Sequence, residues 1–367
     1  MWHLSLSSAL LVAVLGVIVY QFLLVGEVFS GAIAAAPPEL AWVSVAAGVS
    51  AAFAAQVGMS LRYGRYSEIA KSKLMQSVSM NSFQIGMGLA GGGPSGLILG
   101  FLLSPLSGLL YLGRLSFTRS LWTRPRWMDV HAVFRSFSGY PKYSTTEAIA
   151  NSAGIHVPII LIAFALPGSE AAYVSLAMTV LQVPMALAGN SVGQVFLSKG
   201  ADEFANRRLP VFVAERIGDL AVVGIGPFCF AAMVAPEVFA FVYGSAWRAA
   251  GEMLVMLTPA HMVSFLVVPV ATSLYVVGSL RTALAVQLAG AVLRIAGVAL
   301  AVLAGGEHAV AAYAISGVIM YTVFLGVVLW RCGVTVSTLV RQLNRSLVWV
   351  GAWLTLGLAV KYAFHSI

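Results

Sequence analysis

The stretch 282–304, TALAVQLAGAVLRIAGVALAVLA, runs for 23 residues with one charged side chain, Arg294, near its middle. An α-helix rises about 1.5 Å per residue and the hydrocarbon core of a bilayer is about 30 Å thick, so roughly 20 apolar residues cross it. This run is long enough. About eleven such runs occur, at 4–24, 40–60, 74–90, 95–115, 147–166, 171–197, 214–240, 253–278, 282–304, 308–330 and 346–364. Of 367 residues, 60% are hydrophobic and 9% charged, against about 45–50% and 25% in soluble domains. The expected fold class is therefore all-α, a polytopic transmembrane helical bundle of about eleven spans. The connections leave no room for a separate soluble catalytic domain.

Orientation follows from Lys and Arg, which are enriched in cytoplasmic loops. With the N-terminus inside, 18 of the 21 basic residues fall in inner segments, while Glu27, Glu39, Glu170, Glu237, Glu252 and Glu307 fall outside. The net charge of +8 is then topology, and no nucleic-acid partner is expected. The chain reads as a multi-pass protein of the inner (plasma) membrane with a cytoplasmic N-terminus. The run 4–24 is not expected to be a signal peptide, because no Lys or Arg precedes it and it exceeds the usual apolar length.

The longest connection, 116–146, divides the chain into an N-terminal lobe of four spans at 1–115, a cytoplasmic interfacial linker, and a C-terminal lobe of about seven spans at 147–367. Within the linker Asp129 can cap a short helix carrying Val130, Val133, Phe134 and Phe137 on one side, which reads as a helix on the inner membrane surface. Gly91, Gly92, Gly93 and Pro94 read as a tight outer hairpin. A phosphate loop would need a following Gly-Lys-Ser/Thr. Gly96 and Gly100 have the spacing of close helix packing. There is no ATP-binding signature, and no cofactor is expected. Cys229 and Cys332 are too far apart in sequence to suggest a disulfide framework or a zinc site.

Polar groups inside a bilayer are costly and so point to function. Arginine at a helix centre is disfavoured by roughly 2.5–3.5 kcal/mol. Around Arg294, residues Gln287, Gly290, Gly297 and Ala301 share a polar or small face that packs inward or lines a cavity. The structural alternative is a salt bridge across helices, to a residue such as Asp219 or Glu215, or a snorkelling side chain. On the run 171–197, Ser175, Thr179, Gln182, Asn190 and Gln194 fall within an arc of about 120° if the helix is continuous. Pro184 interrupts this run and can free the carbonyl of Val180. The arc is either one wall of a wet path or hydrogen-bonding glue between helices. His156 and His261 are lone histidines on apolar spans and read as packed side chains. No nucleophile triad, carboxylate pair or metal-ligand constellation emerges, so an enzyme is not expected.

Three stretches together resemble one family. They are Tyr140-Pro141-Lys142-Tyr143-Ser144 followed by Glu147-Ala148 and Asn151; Val183-Pro184 continuing to Val192-Gly193-Gln194-Val195-Phe196; and Tyr243-Gly244-Ser245-Ala246-Trp247-Arg248-Ala249-Ala250-Gly251-Glu252-Met253-Leu254, leading to Pro259 and Pro269. In order and spacing they are similar to the polysaccharide (O-antigen) flippases of the multidrug/oligosaccharidyl-lipid/polysaccharide transporter superfamily, over about 62–354. The resemblance implies two helical lobes around a central cavity that opens alternately to each side. It implies export of a polyprenyl-diphosphate-linked oligosaccharide from the inner to the outer leaflet, for cell-surface polysaccharide such as lipopolysaccharide. The implied partners are that lipid-linked oligosaccharide, membrane lipids, and the polysaccharide polymerase and glycosyltransferases of the same pathway. Members usually have two further helices ahead of a segment like 4–24, so the first lobe here is expected to hold four spans instead of six.

The family supplies no residue to carry over, so the candidate substrate-binding residues rest on position and chemistry. They are Arg294, Gln287, Gln182, Asn190, Gln194, Asn151 and Lys142. Arg294 suits a diphosphate because its planar fork matches phosphate oxygens. Two alternatives remain. A cation-coupled drug or metabolite exporter of the same superfamily would want a deeply buried carboxylate, which the first four spans lack. A membrane glycosyltransferase or ligase would want a carboxylate or His cluster on a sizeable outer loop, and the outer loops are short.

Overall fold

The computed structural model describes residues 43–117, 143, 145–165, 170–185 and 190–365. The expected span 4–24 and nearly all of the linker with its surface helix lie outside them. The chain divides into two compact units, Met1–Phe137 and Ser138–Ile367.

The first unit contains α1 (Val43–Arg62), α2 (Tyr66–Leu89) and α3 (Gly93–Phe117). A tight turn joins α2 to α3, with Gly91 at φ 76° and Gly93 at φ 54°, values that residues with a Cβ seldom adopt. Gly96 and Gly100 let α3 lie close on α2, since a Cβ at either position would come within 2.5 Å of Met87 or Gln84 side-chain atoms. This is the small-residue packing that the spacing predicts. Gln84 Nε2 donates across the same seam to the Leu97 carbonyl at 2.9 Å.

The second unit begins with α4 (Thr146–Ala165), α5 (Glu170–Pro184) and α6 (Asn190–Ala205). It continues through α7 (Leu209–Tyr243), α8 (Arg248–Val267), the short α9 (Ser273–Val276), α10 (Leu280–Leu303), α11 (Ala309–Cys332), α12 (Val336–Asn344) and α13 (Leu347–His365). Helix α4 packs on α10, α8 packs on α7, α5 and α11, and α10 packs on α11. In a bilayer no hydrophobic gain drives helices together, so close approach and interdigitation must do so. Phe228 of α7 meets Phe265 of α8 edge to face at 5.6 Å between centroids. Gly224 permits this, because a Cβ there would strike the Phe265 ring.

Among the described residues seven helical segments are long and apolar enough to cross a membrane. They are Ser95–Arg114, Thr146–Ala165, Leu209–Tyr243, Ser245–Val267, Leu280–Leu303, Ala309–Cys332 and Leu347–Phe364, with Ala46–Ser60 as a shorter apolar helix. The protein is a polytopic helical membrane bundle.

On the run 171–197 the described residues form α5, which carries Ser175, Thr179 and Gln182, and α6, which begins at Asn190; residues 186–189 lie outside them. Two departures from the sequence reading have physical causes. The run 253–278 is divided, because α8 starts earlier, at Arg248, and ends at Val267; a 3-10 turn, Val270–Thr272, and α9 follow Pro269. Helix α12 was not expected. Thr335 caps it by accepting the Thr338 backbone N–H at 3.4 Å, and Leu339 and Leu343 pack on the core.

Candidate functional site

Six helices, α4, α5, α7, α8, α10 and α11, converge on a cavity of about 230 Å³ wholly within the second unit. Arg294 on α10 lines it together with Asn151 and His156 on α4, Gln182 on α5, His261 and Ser264 on α8, and Tyr313 and Tyr321 on α11. The apolar remainder of the wall includes Met178, Leu181, Phe228 and Leu257.

Arg294 is 1% exposed. Its Nε donates to the Gly290 carbonyl at 3.3 Å and its Nη1 to the Tyr321 hydroxyl at 3.3 Å. The guanidinium carbon also lies 5.4 Å from the Tyr321 ring centroid, a distance at which the ring face attracts a cation. Among the described residues the Nη2 has no hydrogen-bond partner. Gly154 of α4 makes room for this side chain, since a Cβ there would sit 2.7 Å from Nη2 and 3.0 Å from the Ala291 Cα, while Gly290 makes room for Met320 of α11.

A salt bridge from Arg294 to Asp219 or Glu215 does not form. Asp219 pairs with Arg216 at 3.0 Å and with Arg345 at 3.8 Å, and Glu215 pairs with Arg216 at 3.8 Å. Among the described residues no carboxylate lies within ion-pair distance of Arg294. A buried guanidinium with one uncommitted N–H edge and no counterion can take an anion, because an unpaired buried charge is otherwise strongly disfavoured.

Of the candidates from sequence, the cavity brings together Arg294, Asn151 and Gln182. Gln287 is buried on α10 two turns from Arg294, and its Oε1 is unpartnered. Asn190 and Gln194 lie on α6, and Lys142 lies outside the described residues. Sequence reasoning missed the convergence of His156, His261, Tyr313 and Tyr321. The spacing of Tyr313, Gly317 and Tyr321 at i, i+4 and i+8 was a usable signal, since it sets them on one helix face. Among the described residues no group of three or more His, Cys, Asp or Glu could hold a metal ion.

The profile of a family described as "Polysaccharide biosynthesis protein" matches residues 1–252. The chain belongs to this family. No curated protein matches it. Among solved structures, a lipid II flippase MurJ in an inward closed conformation is similar to this chain with a TM-score of 0.67, at 14% identity, over 98% of this chain and 82% of that one. Structures of MATE in straight and bent conformations are similar with TM-scores of 0.60 and 0.58, each at 14% identity and over 90% of this chain, covering 77% and 78% of theirs. At that identity the likeness is one of fold.

Proposed function

We propose that this protein is a flippase that carries a polyprenyl-diphosphate-linked oligosaccharide from the inner to the outer leaflet for cell-surface polysaccharide synthesis. In this reading Arg294 holds the diphosphate, while Asn151 on α4 and Gln182 on α5 offer hydrogen bonds to the substrate in the same cavity. The observation that carries it is the buried Arg294 guanidinium in a cavity wall that holds no carboxylate among the described residues, with its Nη2 unpartnered there. Gln287, Asn190, Gln194 and Lys142 are proposed as further substrate contacts on the chemistry of their side chains alone. With the inside negative, each negative charge moved outward gains about 2.3 kcal/mol per 100 mV, so a diphosphate can travel without ATP. The family supports the class of pathway, and the MurJ likeness supports a fold able to pass a lipid-linked headgroup.

The test uses proteoliposomes holding the purified chain and a fluorescent polyprenyl-diphosphate oligosaccharide in both leaflets. A membrane-impermeant glycosidase added outside digests only the outer pool. The proposal expects the protected inner pool to become accessible in the presence of the protein. An inner pool that stays protected, as in protein-free vesicles, contradicts it.

A further inference from the structure

The two histidines that looked solitary in sequence meet at the Arg294 cavity, and one has its tautomer set. His261 Nδ1 lies 3.1 Å from the Leu257 carbonyl oxygen. A carbonyl only accepts, so Nδ1 carries the proton and donates. The neutral ring therefore holds a lone pair on Nε2, which has no hydrogen-bond partner among the described residues. His156 is exposed and has no comparable bond to set its ring.

The groups facing His261 across the cavity are few. Helix α4 contributes His156, α10 contributes Arg294, and α11 contributes Tyr313 and Tyr321; α5 and α7 present Gln182 and Phe228 but no ionisable side chain. Among the described residues no carboxylate lines the cavity. A proton on His261 thus has no counterion there, and it shares a small space of low polarisability with the Arg294 cation. An anion seated on Arg294 supplies the missing counterion. Proton and anion then favour each other's binding by the same factor, as linkage requires.

We propose that His261 is a proton-binding site coupled to anion binding at Arg294, so that the cavity takes up a proton on Nε2 together with its anion. The proton comes from water, and the new Nε2–H then donates to an anion oxygen. Each anion would move with one negative charge fewer, which weakens the pull of the membrane potential and links transport to the proton gradient. This rests on the reading of the cavity as an anion site.

The probe is radiolabelled sulfate, whose charge is constant from pH 6 to pH 8, the window in which histidine titrates. Equilibrium dialysis is run on the full-length purified protein in detergent. The proposal expects sulfate to bind at least about tenfold more tightly at pH 6 than at pH 8, the effect of roughly one linked proton across the window. In His261→Gln the change should shrink to less than about twofold, and His156→Gln should keep it. Calorimetry in two buffers of different ionisation enthalpy should count about one proton taken up per sulfate in the wild type. Sulfate binding that is independent of pH overturns the proton site while leaving the anion site standing. A pH dependence retained in His261→Gln and lost in His156→Gln overturns the assignment to His261. Absence of sulfate binding at every pH overturns the anion reading, and the proton proposal with it.

Discussion

Gly154 and Arg294 share one seat: the guanidinium Nη2 rests where a Cβ on Gly154 would approach to 2.7 Å, and the same Cβ would press the Ala291 backbone at 3.0 Å. The crossing of α4 over α10 therefore sets both the distance between two helices and the aim of the buried cation. A glycine is needed there for space, since its helical backbone is ordinary.

Gly154→Ala should move the guanidinium without removing its charge. Overpacking of this kind costs about 1–3 kcal/mol, and a misplaced fork loses one of its two phosphate bonds. The expected outcome is a fall of roughly tenfold in flipping rate per folded molecule, equivalent to about 1.4 kcal/mol. Gly326→Ala on α11, where a Cβ meets nothing within 4 Å, should stay within about twofold of wild type. Equal rates for Gly154→Ala and Gly326→Ala would show that this crossing does not aim the arginine.

Glu147 opens α4 as a buried carboxylate, 9% exposed. It accepts a hydrogen bond from the Tyr275 hydroxyl of α9 at 2.8 Å, tying together segments 128 residues apart. Tyr275→Phe removes the donor and leaves the acceptor buried, which should cost about 1–3 kcal/mol. Thermal unfolding in detergent, followed by near-ultraviolet fluorescence, should show a lowered midpoint. Glu147→Gln combined with Tyr275→Phe should recover part of the loss, because an amide is less costly to bury than a lone carboxylate. No recovery would mean that the pair is not the source of the effect.

The charge distribution along the loops predicts that Ser67 faces the cytoplasm and Ser245 faces outside. Both side chains are exposed. Cysteines placed there one at a time, in a background lacking Cys229 and Cys332, should differ in intact cells. An impermeant thiol reagent should label position 245 and reach position 67 only after lysis. Labelling of both in intact cells would invert part of the map.

Much of the fold was legible because a membrane helix is written in continuous apolar sequence, as at 282–304 and 308–330, where the helices run Leu280–Leu303 and Ala309–Cys332. Breaks were less so. A proline can kink a helix or end it: Pro259 lies inside α8, which runs on to Val267, whereas Pro269 leads into a 3-10 turn, Val270–Thr272. Helix α12 escaped notice because nine residues with a polar face fall below any spanning length. Arg294 was legible from its unfavourable depth in an apolar run. Its surroundings were not. Tyr321 lies 27 residues away and His261 lies on another helix, and only the crossing of α4, α8, α10 and α11 brings such side chains to one cavity. The pairing of Asp219 with Arg216 and Arg345 was equally a matter of geometry, and it removes the acid that sequence alone offered to Arg294.

The central claim is that Arg294 holds the substrate's diphosphate during passage, and the direct measurement is flipping rate per folded molecule for Arg294→Lys and Arg294→Gln in proteoliposomes. Lysine keeps the charge but supplies a point where arginine supplies a fork. The account predicts partial activity for Arg294→Lys, near-complete loss for Arg294→Gln, and wild-type amounts of folded protein for both by size-exclusion profile. Wild-type flipping by Arg294→Gln would contradict the claim outright, and loss of folded protein in step with flipping would make Arg294 a structural residue instead.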